Sequence, residues 1–429
     1  MSGPAPAAGP SPGAGGAARP PPFRLPGEHF AAALVFLLAG AVGTVWLAPA
    51  LAAGAFSDPR VAGVTHLLTL GWISTSILGA LYQFLPVALG ASIRWEGLAE
   101  VTFAAWTAGV AAFAGGMMTG RTWVAVAGAG AVGAAVVLLL VNLGATLPRA
   151  TRRGLTWWCV LGAAVFLAGA WLLGFLLAVN LGHDLLGGSR FVVVAVHLHI
   201  AAGGWVLLTM IGVADRLLPM FLLSHGAPSW PGRAAAAAVA AGALGLLLSD
   251  HVVGVWVLRP AGAALAAGTG LFLLQALLHY RARRRSLDPG MALVAGALLL
   301  LGAAAAAGWV ATGRGTADPR LLTAYGLLLV PGGLGLFVAG HYYRIVPFLT
   351  WFHRFGPVAA DRDVPRVGDL FASGPARAAG AMMTAGVAAA AAAAAAGEAA
   401  ALRIGAVVFA AGTGIMAGQM ARIATRRPG

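Results

Sequence analysis

The chain has 429 residues, 60% of them hydrophobic and 9% charged, with a mean hydropathy of +0.86. That much apolar surface is more than a water-soluble core of this length would bury, and it excludes a soluble globular enzyme. The net charge of +14 comes from arginine alone, without lysine, and it sits in short stretches between apolar runs. Such a distribution describes membrane topology rather than a nucleic-acid footprint, so no nucleic-acid partner is expected.

Residues 1–26 are rich in Pro, Ala and Gly and carry no apolar run. They cannot bury a core and are expected to form a disordered tail; no signal-peptide pattern is present. Residues 27–429 form one membrane domain. Its twelve apolar segments are expected at 30–54, 62–89, 97–119, 122–147, 155–181, 191–223, 233–257, 260–281, 290–312, 321–349, 376–397 and 399–424. Each is long enough for a bilayer core of about 30 Å, which takes about 20 helical residues. The fold class is therefore an all-α membrane protein whose immediate partner is the lipid bilayer. The eleventh segment, with its run from Ala388 to Ala396, is barely hydrophobic and is expected to face other helices. Abundant glycine permits close helix approach. Cys159 lies inside a segment as a small core residue.

One sentence of sequence recurs. Counting from His66, Gly71 falls at +5, Trp72 at +6, Gly79 at +13 and Pro86 at +20. Counting from His199, Gly204, Trp205, Gly212 and Pro219 fall on the same offsets. A third copy, counted from Leu327, keeps Gly332, Gly340 and Pro347 but replaces the histidine with leucine and the tryptophan with Gly333. The copies are segments 2, 6 and 10, so the chain reads as three four-helix repeats, approximately 27–150, 151–286 and 287–429, with pseudo-threefold symmetry.

Arginine counts give the orientation. The N-tail, the loops after even-numbered segments and the C-tail hold eighteen arginines. The opposite side holds seven: Arg60, Arg121, Arg190, Arg259, Arg314, Arg320 and Arg403. Both termini are therefore expected in the cytoplasm, with the histidine-bearing starts of segments 2 and 6 toward the outer face.

Ionisable groups inside a bilayer are costly and mark function. Neutral imidazole ligates haem iron and copper, so histidines at one depth on neighbouring repeats are candidate cofactor ligands. Residues two apart on a helix point about 200° apart, so His197 and His199 cannot readily share one metal. The expected pairing is His66 with His199, leaving His197 for a second site. Its candidate partner is His251 beside Asp250, with His183 and Asp184 as a looser option. Tyr325 takes the place of His197 in the third copy. Trp72 and Trp205 are candidates for stacking on a macrocycle or for packing. His29, His225, His279, His341 and His353 lie near segment ends and are expected at the interfaces. Gln83, Arg216 and Arg344 share offset +17; the arginines read as side chains reaching for headgroups.

These residues resemble the catalytic subunit I of haem–copper oxidases and the related nitric oxide reductases. The likeness covers all twelve segments. Its most specific piece is His197-Leu198-His199 with Gly204, Gly212 and Pro219-Met220-Phe221, similar to the family's His-x-His helix. His66 resembles the family's other low-spin haem ligand. The resemblance implies haem b and copper as cofactors, a redox partner or a small gas ligand (O₂ or NO), and a bacterial inner (plasma) membrane location. It implies an oxidoreductase akin to a divergent terminal oxidase or nitric oxide reductase, or a protein that passes electrons; it assigns no catalytic residue here. The family's His-x-His lies on its tenth helix, whereas this one is on the sixth. The family's adjacent copper-binding histidines are absent from segment 7, where Asp250-His251 stands. A second reading keeps the scaffold without the redox centre, as a cofactor-free or metal-handling membrane protein or transporter.

Overall fold

The computed structural model describes residues 23–187, 190–249, 255–313 and 318–428. Among these the chain is helical without strands, and twelve helices are long and apolar enough to cross a membrane. We label them α1 (Arg24–Trp46), α2 (Pro59–Leu89), α3 (Glu96–Thr119), α4 (Thr122–Arg149), α5 (Leu155–His183), α6 (Arg190–Leu222), α7 (Trp230–Leu248), α8 (Leu258–Arg281), α9 (Pro289–Ala311), α10 (Pro319–Val358), α11 (Ser373–Ala396) and α12 (Ala399–Thr425).

Boundaries differ from expectation at both ends of α1 and at the end of α10. Arg24, Leu25 and Pro26, assigned to the tail, open α1. That helix stops at Trp46, and a separate short helix, Ala48–Ala52, follows with Pro49 in its first turn, where proline's missing N–H is harmless. The tenth helix runs well past Pro347, through a π-helical turn at Trp351–Phe355. The starts of α2 and α10 share one device: Asp58 and Asp318 each accept the amide of the arginine two residues on, at 2.8 and 2.9 Å, with proline between. This is N-capping with proline at the first helical position.

Exposed tryptophans form two girdles. Trp46, Trp123, Trp256 and Trp309 lie at helix ends on one side of the bundle; Trp95, Trp158 and Trp230 lie at the starts of α3, α5 and α7 on the other. Amphipathic indoles prefer the two membrane–water interfaces, so the girdles bracket the bilayer.

Packing repeats along the chain. The hairpins α3–α4, α7–α8 and α11–α12 close through glycine. A methyl added to Gly128 would lie 2.3 Å from the Phe113 amide nitrogen, one on Gly268 2.9 Å from that of Val239, and one on Gly386 2.5 Å from that of Phe409. Backbones that near one another gain dispersion contacts that lipid cannot match. Successive groups of four then join: α4 packs on α5, α8 on α9 and α12 on α1. Inside lie α2, α6 and α10, with α10 touching both of the others. The repeated glycines seat on the preceding helices: Gly71 on Phe36 and Gly79 on His29, Gly204 on Phe166 and Gly212 on Cys159, Gly332 on Leu300 (and on Val387 of α11) and Gly340 on Val294.

The inner three helices share a further feature that no sequence pattern announced. Each widens into a π-helical stretch: Leu67–Ser74, Ile200–Leu207 and Leu328–Gly335. Counted from His66, His199 and Leu327, all three run from +1 to +8. A π turn misaligns the backbone ladder and leaves carbonyls short of partners. In α2 the Leu70 carbonyl is met by Thr75 Oγ1 at 2.9 Å and Trp106 Nε1 at 3.3 Å. Polar side chains thus satisfy backbone groups that lipid cannot.

Candidate metal centre

His66 and His199 are the last α-helical residues before their π turns, so each ring is set at the point where its helix changes pitch. The Nδ1 of His66 donates to the Ala62 carbonyl at 2.7 Å, and that of His199 to Ala195 at 2.7 Å, each one turn back on its own helix. His197 differs. Its Nδ1 donates across to the Ala170 carbonyl of α5 at 2.9 Å. Gly174, one turn further along α5, leaves space for the ring; a methyl there would sit 2.8 Å from His197 Cε1. A carbonyl only accepts, so all three imidazoles are protonated at Nδ1 and offer a lone pair at Nε2.

The partner of His66 is His197, not His199. Their ring centres are 6.1 Å apart with planes 23° from parallel, and Phe113 of α3 closes on His66 edge-on at 4.8 Å. No hydrogen bond reaches Nε2 of His66 or of His197 among the described residues. His199 turns to the other neighbour. Its Nε2 accepts the Tyr325 hydroxyl of α10 at 3.0 Å, with the rings stacked at 5.9 Å. Two residues apart on one helix, His197 and His199 therefore serve different interfaces. The expected pair of like offsets gives way to a staggered one, in which offset 0 of one helix meets offset −2 of the next. Inclined, packed helices meet at different heights, and a pattern of offsets carries no inclination.

Trp72 and Trp205 are fully buried, at 0% and 2% exposure. Trp205 donates to Ser74 Oγ at 3.0 Å, and Trp72 packs where Gly335 of α10 leaves room. These are contacts between the inner helices, and neither indole has a ring contact with an imidazole. His251 and Asp250 lie outside the described residues. His183 and Asp184 are exposed at the end of α5. No group of three or more His, Cys, Asp or Glu side chains suited to a metal occurs among the described residues.

Three histidines expected at the interfaces are buried instead: His29, His279 and His341, at 1%, 7% and 6% exposure. His279 is satisfied by Ser224 and Gln275 at 2.9 and 2.8 Å. His29 and His341 each donate Nδ1–H to the carbonyl four residues back, and each leaves Nε2 without a partner. A backbone acceptor within the same helix lets a neutral imidazole enter the bundle, which distance from a helix end does not reveal. His225 is exposed and His353 half-buried.

No family model matches the chain, and no curated protein matches it. What the site can do follows from its atoms. Two rings from α2 and α6 stand 6.1 Å apart at their centres, and no hydrogen bond reaches the Nε2 of either among the described residues, so both lone pairs are open to a cation or a donor.

Proposed function

We propose that this protein is a haem b-binding membrane redox protein of the haem–copper oxidase type, passing electrons rather than reducing a gas. The observation that carries the reading is the His66–His197 pair. Metal–imidazole bonds of about 2.0–2.1 Å, plus about 1.1 Å from each nitrogen to its ring centre, place two ligating rings about 6.3 Å apart. The pair stands at 6.1 Å with both Nε2 lone pairs free. Two neutral imidazoles at this separation are a donor set that a haem iron could take, and a bound haem would supply one-electron chemistry at a potential set by its ligands and surroundings. His66 and His197 would hold it, and the Ala62 and Ala170 carbonyls would orient and strengthen the two ligands. The Nε2 of His199 is already engaged by Tyr325, so the second histidine of the His-x-His motif is not free for a gas-binding centre.

A pseudo-threefold arrangement of four-helix units supports this placement. The in-register π turns, the glycine seats and the closure of α12 on α1 all follow from it. Under that symmetry the three inner interfaces are His66 with His197, His199 with Tyr325, and Leu327 with Val64. The first is a metal pocket, the second a hydrogen-bonded pair and the third apolar. We place the protein in a bacterial inner membrane on the family resemblance, with both termini in the cytoplasm on the arginine distribution. Its redox partner would meet the outer side, where the pair lies.

The same separation favours a second reading, a bare soft ion such as Cu(I) held by the two imidazoles without a macrocycle. Gly174 and Phe113 close on the rings from both sides, as a small ion permits. Metal analysis with an optical spectrum separates the two. Haem gives a Soret band and iron; the bare ion gives copper and no Soret band. Purified protein with neither sinks both.

A further inference from the structure

A second polar site lies in the inner half of the bundle, away from the histidine pair. His341 of α10 donates Nδ1–H to the Phe337 carbonyl at 2.8 Å, so its Nε2 can only accept. That Nε2 is buried and unpartnered. Arg344 lies three residues on, on the same helix face, where side chains are about 5–6 Å apart at Cβ. Its Nη2 donates to Asp288 Oδ2, and Asp288 also caps α9 through the Gly290 and Met291 amides at 2.9 and 3.2 Å. Its Nε–H, which can only donate, is buried and unpartnered. Phe221 of α6 roofs both residues, its ring centre 6.1 Å from that of His341 and 5.1 Å from the guanidinium carbon.

An unpaired acceptor and an unpaired donor on one turn are complementary. Each alone is costly when buried without a partner. Neither can satisfy the other directly, because the guanidinium is held toward Asp288. We propose that His341 and Arg344 hold one ordered water molecule between α6 and α10. It donates to His341 Nε2 and accepts from Arg344 Nε–H. Buried waters hold two to four such bonds, and this site supplies two of opposite sense. The water extends the Asp288–Arg344 pair into the bundle and ties α9 to the core of α10. The proposal is independent of any cofactor.

The test is X-ray radiolytic footprinting of the full chain in nanodiscs, in ¹⁸O-labelled water. Phe337, at 3% exposure and 4.6 Å from the His341 ring, reports on the site; Phe409, also 3% exposed, is the dry control. The expected result is ¹⁸O incorporation at His341 and Phe337 but not at Phe409. Arg344→Lys keeps the charge opposite Asp288 and lacks Nε–H; it should lose the labelling. His341→Phe should lose it at Phe337. Should His341→Phe fail to fold, Arg344→Lys still decides. An unlabelled parent, or labelling unchanged in Arg344→Lys, overturns the proposal.

Discussion

At the scale of single residues, the site rests on where protons sit. The carbonyls of Ala62, Ala170 and Ala195 fix the protonation of three rings, and the use of Nε2 follows. His197→Ala removes one lone pair and the only described neighbour that His66 has for sharing a metal. Its expected outcome is loss of bound haem or metal, read from the spectrum and elemental analysis, with folding kept. Tyr325→Phe should act otherwise. It removes one hydrogen bond, worth about 0.5–1.5 kcal/mol, and should lower the melting temperature slightly while leaving cofactor content unchanged. Equal loss of cofactor in Tyr325→Phe would move the centre to His199. Gly174→Ala places a methyl against His197 Cε1 and should shift the ring off the Ala170 carbonyl. In apo protein, ¹⁵N spectra of labelled histidine should then show one imidazole losing its Nδ1–H signature; spectra like the parent's would mean that α5 does not aim the ring.

At the scale of the element, the π turns decide which side chains meet. Deleting Thr69 from the stretch Leu67–Ser74 should remove the residue by which the π turn exceeds an α-helix, restoring α-helical pitch while the helix below keeps its face. Ser76 would keep Tyr342, to which it is bonded at 2.7 Å, but the displaced Leu70 carbonyl that Thr75 and Trp106 meet would be drawn back into the helix and leave both donors without it. The deletion should cost far more in melting temperature than removal of Ala227 from the α6–α7 loop; equal effects would mean the π turn is dispensable. The start of α2 carries a pH term. Its bond to the Arg60 side chain holds the Asp58 carboxyl below the ordinary range, with the Arg60 amide and charge acting in the same sense. A depressed carboxyl stabilises the fold above its unfolded value of about 3.9, and that contribution is lost as pH falls through the folded value. Asp58→Asn should therefore flatten the acid limb of the stability profile, and an unchanged limb would assign it elsewhere.

At the scale of the molecule, most of the architecture was legible. Twelve spans follow from length and hydropathy, because a bilayer admits few alternatives to a helix. Glycine and proline keep fixed offsets in α2, α6 and α10, and each of those glycines lies against the helix before its own. The pairing of the rings was not legible. It depends on the relative height of inclined helices and on π turns, and neither leaves a composition signal. The burial of His29 and His341 was hidden for a similar reason, since the acceptor that admits each ring is a backbone carbonyl of its own helix. Orientation is testable at this scale. Reporter fusions at the C-terminus and in the α2–α3 loop should both report cytoplasm, and an external C-terminus would invert the assignment.

The most direct test of the central claim is the dithionite-reduced optical spectrum of the purified protein, recorded with and without carbon monoxide, for the parent, His66→Ala and His197→Ala. The account predicts a b-type spectrum in the parent, insensitive to carbon monoxide because His66 and His197 would leave the iron no position open to a gas, and its loss or conversion to a carbon monoxide-sensitive form in either variant. A haem spectrum unchanged by both substitutions would contradict the His66–His197 centre.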